Sequence, residues 1–66
     1  MDLVIIGAAI RMERQKIGMT QQRLADLAGL SKGRIEALEN GRTQDMGFQT
    51  VIGVLVALGF RICIAK

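Results

Sequence analysis

Apolar residues recur at helical spacing through most of this chain, punctuated by glycine. Leu3, Ile6, Ile10 and Ile17 predict a first helix over 3–17, with Gly18 as its C-terminal signal. Arg14 falls on the same apolar face, four residues after Ile10, and a lone arginine there needs an explanation. Thr20 is suited to cap a second helix, Gln21 to Ala28, with Leu24, Leu27 and Ala28 as its buried stripe. Arg23 stands where a Glu or Gln would complete a capping box. Ser31 caps a third helix, from Lys32 to about Asn40, before Gly41 stops it. Ile35 and Leu38 point inward in this helix, and Glu39 is drawn inward with them.

After a polar loop over 42–45, a fourth helix is expected from about Phe48 to Leu58. Its core stripe is Phe48, Val51, Ile52, Leu55 and Leu58. Thr50, Gly53 and Ala57 lie opposite, and Val54 and Val56 widen the apolar zone. Such a helix is either deeply buried or shared with a dimer interface. The tail, 60–65, alternates with period 2 and predicts one C-terminal β-strand. A single strand cannot satisfy its own backbone. Pairing across a two-fold axis with a second subunit is one solution, which places Val54, Phe60, Arg61, Ile62, Cys63 and Ile64 at a dimer interface. Pairing with Val4-Ile5-Ile6, or an extended tail, is the other. The expectation is an all-α bundle of four to five short helices plus that strand, in a single domain over 1–66.

Composition narrows the function. Cys63 is the only cysteine and there is no histidine, so no internal disulfide and hardly any metal site is expected. No cofactor is expected either. With no His, Tyr or Trp, no nucleophile–base pair and no phosphate-cradling loop, the chain is not expected to be an enzyme. Half the residues are hydrophobic in so short a chain, which favours a partner subunit. A net charge of +3 suits an anionic partner, although a solubilising surface explains it equally well. The longest apolar run, in the segment ending at Phe60, is far short of the roughly 20 residues a membrane span needs. No signal peptide is evident, and a lone thiol fits a reducing cytosol.

Two short helices meet at the tight turn Gly29-Leu30-Ser31. Ala25 is small where they cross, and Leu30, Ile35 and Leu38 pin the second. A helix-turn-helix needs these features to project its second helix into a major groove. The run Thr20-Gln21, Leu24-Ala25, Gly29, Ile35 and Leu38-Glu39-Asn40-Gly41 closely resembles the helix-turn-helix of lambdoid phage repressors and Cro proteins, the XRE family. The resemblance extends from about Ile6 to Leu58 and implies a lambda-repressor-like fold, a double-stranded DNA operator and a homodimer.

By that resemblance Gln21 holds a DNA phosphate and Thr20 is its capping neighbour. Ser31, Lys32, Gly33 and Ala37 face base edges, Asn40 and Arg42 contact phosphates, and Arg14 and Glu39 form an internal ion pair. Helical geometry gives the outward arc as Lys32, Gly33, Glu36, Ala37 and Asn40, with Arg34 at one edge. Ala37 suits a thymine methyl; Lys32 or Arg34 suits guanine O6 and N7. Arg34 equally suits a phosphate, or stands as a solvated charge. Glu36 suits a cytosine amino group or balances Lys32. Gly33 departs from the glutamine-rich pattern of the best-known phage repressors, so their operator preferences do not carry over.

The tail 58–66 is similar in pattern to antitoxins of the HipB type, which implies autoregulation and a HipA-like kinase toxin as partner. An RNA-binding module is disfavoured, because the only aromatics, Phe48 and Phe60, read as core. The rival from another class is a protein-interaction module of the same fold without sequence-specific DNA binding. A bacterial or phage-encoded protein of the cytoplasm and nucleoid is expected.

Overall fold

Among the described residues, every helix start except the last is built around a short polar side chain. In the structure, a computed structural model describing residues 2–43 and 46–61, Asp2 accepts a hydrogen bond from the Val4 N–H at 3.0 Å and opens α1, Leu3–Lys16. Thr20 accepts from the Arg23 N–H at 3.0 Å and opens α2, Gln21–Ala28. Ser31 accepts from the Arg34 N–H at 3.2 Å and opens α3, Lys32–Glu39. Each satisfies one of the donors that a helix start leaves unpaired. Helix α4, Phe48–Ala57, follows Gly47 and has no side-chain cap.

The α2–α3 turn depends on Gly29. Its φ of +70° is left-handed, which lets the Leu30 N–H return to the Ala25 carbonyl at 2.9 Å. The chain thereby reverses within three residues and sets α3 across α2. Helix α3 packs on both α1 and α2, and α4 packs on α2. Ile10, Leu24, Ala25, Ile35, Leu38, Met46, Val51, Val54 and Leu58 form the core between them.

Helices α1 and α3 meet unusually closely at Gly7. A Cβ placed there would lie 1.9 Å from the Leu38 carbonyl oxygen, so only glycine fits. This contact has no apolar side chain and escapes a hydrophobic pattern.

Four expected core residues lie outside. Ile17 follows the last helical residue and is 48% exposed, because α1 ends at Lys16 and helical periodicity no longer positions it. Leu27 is also 48% exposed: Leu24, Ala25 and Ala28 centre the buried arc of α2, and Leu27 lies roughly 100° from that centre. In α4 the buried face centres between Val51 and Val54, roughly 60° from the expected stripe. Phe48 is consequently 63% exposed, while Val54, expected at a dimer interface, is fully buried in its own chain. Phe60 is 43% exposed. Its N–H donates to the Leu55 carbonyl at 3.0 Å, closing α4 instead of beginning a strand.

Arg61 is exposed and irregular, and no strand occurs among the described residues. The expected strand residues Ile62, Cys63 and Ile64 lie outside the described residues. No described helix is long and apolar enough to cross a membrane.

Candidate nucleic-acid interface

Helix α3 has an inner and an outer side. Ile35, Leu38 and Glu39 are buried, whereas Ser31, Lys32, Gly33, Arg34 and Asn40 are exposed and Glu36 and Ala37 are partly so. Lys32, Gly33, Arg34 and Ala37 therefore lie outside the buried side of the helix.

Gly33 lies on this outer side for no internal steric reason. A Cβ there would meet only the Ser31 Oγ, 4.0 Å away, and its φ is not left-handed. It costs helix stability relative to alanine and leaves a shallow surface for whatever approaches.

The inner side is anchored by charge. Arg14 Nε donates to Glu39 Oε2 at 2.6 Å, and its Nη2 donates to Oε1 at 3.0 Å. Its Nη1 donates to the Met19 carbonyl at 2.8 Å. The hydrogen bond that Arg14 donates to Glu39 raises the Arg14 pKa above its ordinary value, against the opposing effect of burial. No buried side-chain polar atom among the described residues lacks a partner.

Gln21 joins this network. Its Nε2 donates to Glu39 Oε1 at 3.2 Å, and the residue is half-buried. Family resemblance assigns Gln21 to phosphate alone and misses this inward bond. The signal that points to it is spacing, for three residues before Leu24 it falls on the buried arc of α2.

Beyond α3, Asn40 Nδ2 donates to the Glu36 carbonyl at 2.9 Å, and Arg42 Nη2 donates to Glu36 Oε1 at 2.7 Å. Glu36 is therefore balanced by Arg42 and not by Lys32. Thr20 and Ser31 use their oxygens as caps and each keeps a hydroxyl hydrogen to donate. Of the expected contact residues, Gln21, Glu36, Asn40 and Arg42 already have intramolecular partners. No cluster of metal-ligating side chains occurs among the described residues.

A capped helix pair, a tight glycine turn and an exposed second helix define a helix-turn-helix DNA-binding domain of the XRE type. The chain belongs to the helix-turn-helix domain family, whose model matches residues 5–61. It is 38% identical over 61 residues to the competence pilus inhibition repressor of Acinetobacter baylyi. That match covers 92% of this chain and 53% of the relative, so the chain spans about half the relative's length. The crystal structure of the restriction-modification controller protein C.AhdI from Aeromonas hydrophila superposes with a TM-score of 0.81 at 28% identity, covering 91% of this chain and 89% of that one.

Proposed function

We propose that this chain binds a specific duplex DNA site as a homodimer and represses transcription, with α3 in the major groove. The observation that carries the reading is the outer side of α3, where Lys32, Gly33, Arg34 and Ala37 are free of the core. Lys32 or Arg34 reads guanine, Ala37 meets a thymine methyl, and Gly33 admits the groove floor. Ser31 donates its hydroxyl hydrogen at the groove edge. Thr20, Gln21, Asn40 and Arg42 flank this helix and hold phosphates, which fix register without reading sequence. The role is binding and not catalysis.

Repression is supported by the relative from Acinetobacter baylyi, itself named a repressor. Dimerisation is supported by the exposed apolar side chains Phe48, Val56 and Phe60 on and after α4, which a second subunit would cover. Two recognition helices related by a two-fold axis would read an inverted repeat. Such a protein acts in the bacterial cytoplasm, at the nucleoid. The antitoxin resemblance depends on a tail whose residues 62–66 lie outside the described ones, and no described residue favours a toxin partner.

Selection of binding sites from random duplex DNA tests the reading. The expected result is an inverted repeat with half-site centres about 34 Å apart. Recovery of no motif, with only weak salt-sensitive binding, would favour the protein-interaction module. The recovered motif, sought upstream of the chain's own gene, tests autoregulation.

A further inference from the structure

We propose that the buried Arg14–Glu39 pair is a positioning device for Gln21, holding that side chain ready for a DNA phosphate. This rests on the duplex-binding reading above and adds what prepares the contact. The Glu39 side chain is 1% exposed and receives two N–H bonds from Arg14. Arg14 is itself fixed at the Met19 carbonyl, in the connection between α1 and α2. The carboxylate is thus held at both oxygens, and its Oε1 also accepts from Gln21 Nε2.

That bond uses one of the two hydrogens on the glutamine nitrogen. Because the amide is planar, the second hydrogen then has a defined direction. A solvated glutamine would have to be ordered on binding, which weakens affinity. Arg14 also answers an electrostatic problem. A bare carboxylate beside an approaching phosphate would repel it, whereas a bidentate guanidinium cancels that charge at the source. One network thereby couples three helices to a single surface contact. Glu39 and Arg14 touch no DNA in this arrangement and act only through Gln21.

A double-mutant cycle tests the coupling. Dissociation constants are measured on the selected operator and on a mismatched duplex of equal length. The proteins are wild type, Gln21→Ala, Arg14→Met/Glu39→Leu, and the triple variant. Well-packed apolar residues commonly replace a buried ion pair without loss of fold. Melting curves check this, and Glu39→Asp, which keeps the charge but withdraws it by one methylene, serves as the second background. In wild type, Gln21→Ala should weaken binding about tenfold. The loss should be equal on both duplexes, as for any phosphate contact. In either altered background the same substitution should cost less than about twofold, the limit expected for uncoupled error.

A tenfold cost in every background overturns the coupling, since Gln21 would then work unaided. No cost even in wild type also overturns it and leaves duplex binding intact. If wild type selects no motif at all, the duplex-binding reading itself fails, which is a separate and recognisable result.

Discussion

Helix α3 carries two glutamates three positions apart, and each meets an arginine in opposite surroundings. Glu39 and Arg14 have side chains 1% and 11% exposed, while Glu36 and Arg42 are 47% and 63% exposed. The contacts are of similar length, at 2.6 and 2.7 Å. Their consequences differ because the solvent differs. Once buried, a pair becomes something the fold cannot lose by halves, since removal of one partner strands the other charge. On the surface, water and salt compete for both partners. The inner pair therefore fixes how helices sit, and the outer pair sets what the interface presents.

The most severe way to break this contrast is Glu39→Ala. It should destabilise the fold by about 3–5 kcal/mol, a large share of what a domain this small possesses. Thermal unfolding followed by circular dichroism measures it, and an unchanged melting temperature would dissolve the distinction between the pairs. The raised Arg14 pKa adds a sign that can be checked. A group whose folded pKa is raised contributes fully below its unfolded value and loses that contribution only as pH climbs through the folded one. Titration of Arg14 should therefore leave stability level through neutral pH and weaken it only in strong alkali.

Two glycines repeat the contrast with smaller effects. Gly7→Ala would press a methyl against the Leu38 carbonyl, so α1 and α3 must separate, at a cost of about 1–3 kcal/mol. Gly33→Ala meets open space and should stabilise the helix by about 0.5–1 kcal/mol. Operator affinity should nevertheless fall, because the added methyl stands on the surface proposed to enter the groove. Denaturant melts with a parallel binding titration separate the two effects. A Gly33→Ala protein that is more stable and binds undiminished would remove α3's outer side from the interface.

Local rules govern the parts of the molecule that are legible in the sequence. Thr20, Ser31 and Gly29 act through neighbours three to five residues away, so sequence spacing carries them. The inward pull on Arg14 and Glu39 is visible in periodicity, although their pairing comes from family resemblance. Three features resist for physical reasons. Helix α4 has no charged residue between Phe48 and Ala57 to mark its outer side, so periodicity underdetermines its rotation, and Phe48 and Val54 exchange their expected places. Gly7 packs through its lack of a side chain, which hydrophobic patterning scores as nothing. Gln21 belongs to both surface and core, and a pattern that gives each residue one role captures only the first.

The smallest stability effect is also the most informative about the outer side. Glu36→Gln should change folding stability by no more than about 0.5 kcal/mol, as expected for an exposed pair. Its effect on DNA should be larger. Arg42 is neutralised by Glu36, so on docking it displaces little counterion from a phosphate. Without that carboxylate, Arg42 is available to the backbone and one like charge is gone from the interface. Affinity at low salt should rise, and the slope of log K against log salt should steepen by about one. Binding titrations across a salt series read this directly. An unchanged slope would mean that Arg42 stays away from the phosphates. Relaxed preference at a single base pair would instead show Glu36 reading a base, which would make the outer pair a specificity device as well as a charge balance.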